Sequence, residues 1–303
     1  MPQITSVNAA NAIVKLVAVE ALELLTGTLV MGALVNRDFE PVLASRGDTI
    51  NVPIPPILVA NNLAEAGTVQ LQASSLGNAQ IVLNTHAEAS FTIGDVAKIL
   101  SNPDLAKLYI GSAVQAVAER VECDLMKNYA LLTDNTVIGG AAPIDEEKVD
   151  DAETALFLAR CPVSEPKYLV VNAATYSDLR LIPRFTEYDK FGSEEQAQQA
   201  IALGVVGKVK NFSVIRSHFV QTVGGTTHNI AFARNAFALV TRRLPQPLPN
   251  TGAVVEYAEH GSFGMRIVMS YQPGTLAQQF TIDCLYGTGV LRNQFGVQVS
   301  TNT

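Results

Sequence analysis

The chain has no lysine or arginine anywhere between Arg46 and Lys98. That stretch therefore lacks the side chains that grip phosphate backbones. Cysteine is scarce as well. Cys123, Cys161 and Cys284 are odd in number, far apart and without a CxxC pair, which excludes a disulfide framework or a zinc ribbon and points to reduced thiols. The histidines His86, His218, His228 and His260 show no metal-ligand spacing and no HExxH occurs, so no metal is expected. The N-terminus opens Met-Pro-Gln without a basic region, and Lys15, Glu20 and Glu23 interrupt the apolar stretch that follows. It fits neither a signal peptide nor a membrane span. A soluble, intracellular protein is expected, with no cofactor and no membrane partner.

Catalytic patterns are equally thin. Gly204-x-x-Gly207-Lys208 is followed by Val209, not by the Ser/Thr of a phosphate loop, so strand-edge glycines are the reading. Gly261-Ser262-Phe263-Gly264 lacks the spacing of a nucleophile elbow and reads as a hairpin turn. Val223-Gly224-Gly225-Thr226 is likewise a hairpin signal. The acidic pairs Asp150/Asp151 and Glu194/Glu195 are sequence neighbours, which a helix would splay apart, and they read as solvated faces. Cys123 has no nearby histidine in sequence and reads as a structural thiol. A net charge of −7 with pI near 5.2 argues against tight nucleic-acid binding by counterion release.

What the chain does have is apolar material. With 303 residues, 48% of them hydrophobic, it can bury a large core. Inside the cation-free stretch lie two strand-like arms, Thr49–Ile54 and Ile81–Ile93. The second alternates through Ile81, Leu83, Thr85, Ala87, Ala89, Phe91 and Ile93, and would reach about 40 Å if fully extended. A two-stranded ribbon of that length is marginal alone in water, so its apolar face is expected to be covered by another copy or a partner. Pro53, Pro55 and Pro56 assign the first arm to an edge or a bulge.

Helical spacing predicts a helix over residues 8–26, with Asn8 as N-cap and Gly27 as its stop. The strongest helix is expected from Asp104 to Leu132, capped by Asn102 with Pro103 at its first position and striped by Ile110, Val114, Val117, Val121, Leu125 and Tyr129. It would span roughly 43 Å. Asp145 opens another helix that Arg160 and Cys161-Pro162 close. Tyr168–Val171 reads as a buried strand, Ala173–Ile182 as a helix, and residues 184–203 as a polar surface segment. The strand-like runs beyond are Val205–Val209, Phe212–Ser217, Asn229–Ala233, Ala236–Thr241, Val254–Tyr257, Met265–Tyr271, Gln279–Tyr286 and Val290–Val299. Helices and strands mix without a βαβ rhythm, which indicates α+β.

In this order the elements resemble the major capsid proteins of tailed bacteriophages, the Hong Kong 97-type fold. The local segments that carry the resemblance are Leu34-Val35-Asn36-Arg37-Asp38-Phe39-Glu40 followed by Gly47-Asp48-Thr49-Ile50, and Gly204 through Val214. Ala231-Phe232-Ala233-Arg234-Asn235-Ala236-Phe237 and Leu285-Tyr286-Gly287-Thr288-Gly289-Val290-Leu291-Arg292 complete them. The resemblance implies an N-terminal arm over 1–48, an extended β-hairpin loop over 49–93 lying on an adjacent subunit, and a peripheral domain over 94–142 and 266–303 with the spine helix at 103–132. It further implies an axial domain over 143–265, with the C-terminal end free to return to it. The segment at Tyr271-Gln272-Pro273-Gly274 would form the peripheral loop at three-fold contacts. In the family's type example a lysine in the extended loop makes an isopeptide bond to a neighbour. The loop of this chain has no lysine, so that cross-link is chemically impossible here.

The expected function is that of a coat protein assembling as pentamers and hexamers into an icosahedral shell around phage double-stranded DNA, held by weak non-specific contact and built in the host cytoplasm. Candidate intersubunit contacts are Arg37, Asp38, Glu40, Glu65, Val69, Leu71, Tyr271 and Gln272. Expected partners are the chain itself, a portal, a separate scaffolding protein or none, and decoration or cement proteins; no lost prodomain is needed. The alternatives are an encapsulin-like nanocompartment shell and a soluble enzyme.

Overall fold

A computed structural model describes residues 30–39, 49–95, 105–135, 138–182, 208–260 and 263–302, apart from a few positions within these spans. The helix expected over 8–26, the cap at Asn102-Pro103, the polar segment 184–203, Gly204-x-x-Gly207, and Glu40 lie outside the described residues.

The helices are α1 (Met31–Leu34), α2 (Leu105–Lys127), α3 (Glu146–Leu158) and α4 (Ala173–Leu181). The spine α2 buries Ile110, Val114, Val117, Val121 and Leu125, the apolar stripe read from the sequence. Its regular part is shorter than expected, about 35 Å, because the chain tightens into a 3-10 turn at Asn128–Leu131. Asp145 caps α3 by accepting from the Lys148 amide at 2.9 Å, with Glu146 and Glu147 in the first turn where the dipole favours them. Arg160 lies beyond the helix. It adopts φ 58, and the Arg160 and Cys161 amides donate to Phe157 and Leu156 at 2.9 and 3.1 Å. That is a Schellman closure with arginine where glycine is usual.

The strands are β1 (Thr49–Ile54), β2 (Gly77–Val82), β3 (Thr85–Gly94), β4 (Ile138–Gly139), β5 (Lys167–Val171), β6 (Lys208–Val209) and β7 (Phe212–Arg216). They continue with β8 (Gln221–Val223), β9 (Thr226–Ala233), β10 (Phe237–Arg242), β11 (Val254–His260), β12 (Phe263–Gln272), β13 (Ala277–Val290) and β14 (Gly296–Asn302). Among the described residues one sheet runs β10-β13-β12-β11 with β3 also on β13, another runs β4-β14-β9-β5-β7-β6 with β8 on β9, and β1-β2 stand as a two-stranded ribbon. One core packs α2 between residues of both larger sheets. Both hairpin readings hold: Val223 pairs with Thr226 across Gly224 and Gly225, whose φ of 60 and 80 match a two-residue turn with both central residues left-handed. His260 pairs with Phe263. Mixed helices and sheets without alternation make the chain α+β.

Two expectations change. The run Ile81–Ile93 is not one projecting arm. It breaks at Leu83-Asn84, and β3 lies antiparallel to β13 from Thr85↔Tyr286 to Gly94↔Ala277. Its alternating face, Ala87, Ala89, Phe91 and Ile93, packs on the main core, and Phe91 stacks on Phe280 at 5.2 Å. The cover that the sequence assigned to a neighbour is supplied by the chain's own body. Second, Val290–Val299 is two strands. The Leu291 and Arg292 amides both reach the Ala236 carbonyl, at 2.8 and 3.3 Å, before β14 enters the other sheet beside β9. β10 and β11 lie in one sheet with β12 and β13, and β12 runs through residues 265 and 266.

Candidate assembly interface

The ribbon begins as an anchored structure. Its register runs from Thr49↔Val82 to Ile54↔Gly77, and the alternation of β1 points Ile50 and Val52 to the same side as Ala79 and Ile81 of β2. These four, with Leu83, pack on Ala238, Val240, Leu285 and Leu291. The fit is close enough to need glycine: a Cβ at Gly287 would sit 2.5 Å from the Val82 carbonyl oxygen.

Past this base the chain carries its apolar side chains into the open. Leu58, Val59 and Leu63 are exposed by 64, 64 and 59%, Val69 and Leu71 by 67 and 95%, which is far more than isolated apolar exposure on a strand face. Among the described residues the neck of this tip is pinned by the Gln72 side chain. Gln72 accepts from the Val59 amide at 3.0 Å and donates back to the Val59 carbonyl, as a paired strand residue would. From residue 49 to residue 84 the only charged side chain is Glu65, which is exposed in a turn at the tip. Such a surface suits an apolar partner, because nothing on it but Glu65 must be neutralised when water leaves.

The other candidate contacts are distributed elsewhere. Arg37 and Asp38 follow α1 on a strap across the body. There Asn36 bridges to β10, its amide donating to Phe237 at 3.0 Å and its carbonyl accepting from Leu239 at 3.1 Å. Asp38 pairs with Arg234 of its own chain at 3.3 Å, an exposed pair worth about 0–1 kcal/mol. Tyr271 and Gln272 end β12. The Tyr271 hydroxyl donates to Asp95 at 2.8 Å, a bond that raises its pKa, and Gln272 donates to Gln279 at 2.9 Å. The structure thus brings Glu65, Val69 and Leu71 together at the tip, Arg37 and Asp38 on the strap, and Tyr271 and Gln272 at a hairpin end.

Sequence reasoning missed Leu58, Val59 and Leu63, although an uncharged apolar run between Pro56 and Asn61 was a usable signal for the first two. It also missed the polar clamps that hold the scaffold under the ribbon. Asp283, 2% exposed, is held by Arg266 through Nε at 3.0 Å and Nη2 at 2.5 Å, and by His86 at 3.1 Å. Tyr286 donates to Asp124 on the spine at 2.8 Å, and burial together with Asp124 pushes its phenol well up. No spacing rule links residues so far apart. Among the described residues no cluster of His, Cys, Asp and Glu could hold a metal ion, and no helix is long and apolar enough to cross a membrane.

No protein-family model matches the chain, and no curated relative matches it by sequence. Solved structures do. A structure from Mycobacterium phage Che8 superposes with a TM-score of 0.66 at 19% identity, covering 89% of this chain and 90% of that one. The capsid of the cyanophage P-SCSP1u gives 0.59 at 15%, covering 86 and 85%. The capsid of an empty GTA particle gives 0.59 at 11%, covering 91 and 90%.

Proposed function

From a chain that carries the Hong Kong 97-type capsid fold, we propose a major capsid protein whose copies assemble as pentamers and hexamers into an icosahedral shell around phage double-stranded DNA. The observation that carries this reading is the ribbon tip. Five large apolar side chains stand exposed on a base that is itself fixed in the core. Leaving a Leu or Val side chain in water forgoes about 1.5–3 kcal/mol each relative to full burial, and a tip this apolar is a docking element for a neighbouring copy. Glu65, Val69 and Leu71 are its proposed contacts, Tyr271 and Gln272 those of a second junction, and Arg37, Asp38 and Glu40 those of the strap. The net charge of −7 suits a wall that touches packaged DNA only weakly, so that the polymer can slide during filling and release. Assembly in the host cytoplasm with a portal and separate scaffolding or cement proteins completes the proposal.

The test is electron microscopy and sedimentation of the purified chain and of a Val69→Asp/Leu71→Asp variant. The wild type is expected to form closed particles that protect genome-length DNA from nuclease in an infected host. The variant is expected to keep its melting temperature as free subunits, since both side chains stand in solvent, while particle yield falls at least tenfold. A wild type that stays monomeric, or a variant that assembles as well as the wild type, overturns the reading.

A further inference from the structure

Glu122 lies five residues before the C-terminal end of α2 and has no solvent exposure at all, yet among the described residues its partners are backbone amides and not a cation. Its carboxylate accepts from the Met31 amide at 3.0 Å and from the Gly32 amide at 2.8 Å, and the Val30 amide also acts on it. Successive backbone donors at the entry to α1 thus close around one carboxyl that is 90 residues away in sequence. Burial pushes its pKa up to about 6, against the pull of the Gly32, Met31 and Val30 amides, and among the described residues no charged side chain contributes.

The groups on the elements packed around it are engaged elsewhere. The segment α1 reads Met-Gly-Ala-Leu and has nothing to titrate. On α2, Glu119 accepts from Gln115, while Arg120 and Lys127 hold Asp124. On β13, Asp283 is taken by Arg266 and His86, and Tyr286 by Asp124. On β3, Glu88 accepts from Ser90. On β8 there is no titratable residue, and beyond α1 Asp38 faces Arg234.

We propose that residues 30–34 form a proton-linked latch: the segment docks on the spine through the Glu122 carboxyl, protonation there tightens the docking, and loss of the proton prepares the segment to lift. The argument is one of competing solvents. Met31 and Gly32 are both buried over this part of the spine, and lifting them opens the carboxyl to water. The anion gains most from water, while the neutral acid loses least by staying buried. Downstream, Asn36 remains clamped by its two backbone bonds to β10 and by its side-chain bond to Asn235 at 2.7 Å, so the lift hinges there. The latch therefore frees residues 30–34 and leaves the strap beyond Asn36 in place.

The sign comes from linkage. The docked pKa, about 6, lies above the ordinary 4.5 that the lifted carboxyl would regain. Docking is therefore strongest below pH 4.5 and is lost progressively as pH rises through about 6. The test is amide hydrogen exchange on the full chain from pH 7.5 to 4, corrected for intrinsic rates, with β5 as the internal reference. Protection at Met31 and Gly32 is expected to rise about 8-fold from pH 7 to pH 5, towards a limit near 30-fold. The slope should vanish in Glu122→Gln and persist in Glu122→Asp. A wild-type profile that is flat, or that falls with acid, overturns the proposal whether or not the variants fold. A Glu122→Gln variant that keeps the wild-type slope overturns it as well.

Discussion

Replacing Gly287 by alanine should detach the ribbon base from the body. The added methyl would stand 2.5 Å from the Val82 carbonyl oxygen, 3.0 Å from its carbon and 3.3 Å from Ile81 Cγ2. Contact between a carbon and its neighbours is comfortable near 3.5 Å, so β2 must retreat by roughly 1 Å. That shift is resisted on every side. Ile81 and Leu83 have no solvent exposure, Val82 pairs with Thr49, and Gly287 of β13 is itself held opposite Val240 of β10. Overpacking of this kind costs about 1–3 kcal/mol, and backbone is the obstacle here, so the upper half of that range is expected. Gly289→Ala is the graded comparison. Its methyl meets Ile81 Cγ1 at 3.3 Å and the Gln80 oxygen only at 3.5 Å, contacts that a small side-chain adjustment relieves, for a cost below about 1 kcal/mol. Hydrogen exchange of the β1 and β2 amides reads the difference. At about 1.4 kcal/mol per tenfold, Gly287→Ala should lower their protection by about 30- to 140-fold and Gly289→Ala by less than about 5-fold. Equal effects of the two substitutions, or unchanged ribbon protection in Gly287→Ala, would refute the claim that close backbone approach holds the ribbon.

Two further outcomes concern the buried groups. Removing the Asp283 carboxylate by Asp283→Ala strands the Arg266 guanidinium, whose side chain is only 17% exposed, and should cost about 3–5 kcal/mol in denaturant unfolding. An Asp283→Leu/Arg266→Met double variant should recover much of that loss, and a double variant as unstable as the single one would contradict the account. Burial, aided by Glu165, pushes the Cys161 thiol up to about 11 from 9.0, which cuts its thiolate fraction about 100-fold. Iodoacetamide at pH 8 should therefore modify half-exposed Cys123 well before Cys161 or Cys284, a ranking that mass spectrometry of the alkylated peptides checks directly.

Features that local chemistry dictates could be read before any fold was known. The apolar stripe of the spine, the aspartate cap of α3 and the diglycine turn between β8 and β9 were all legible, because each depends on residues a few positions apart. So was the absence of charge in the ribbon, apart from Glu65. Tertiary structure decided where each apolar face is buried. Alternation in Ile81–Ile93 showed that one face must be covered, but not that β13 and the spine would cover it, since period two is the same whether the cover comes from the same chain or another. That assignment shortened the free projection from the whole ribbon to its tip. The clamps at Glu122, Asn36 and Asp283 were hidden for the same reason. Each joins groups tens to hundreds of residues apart, and a buried charge becomes tolerable only when the fold brings its donors within hydrogen-bond reach.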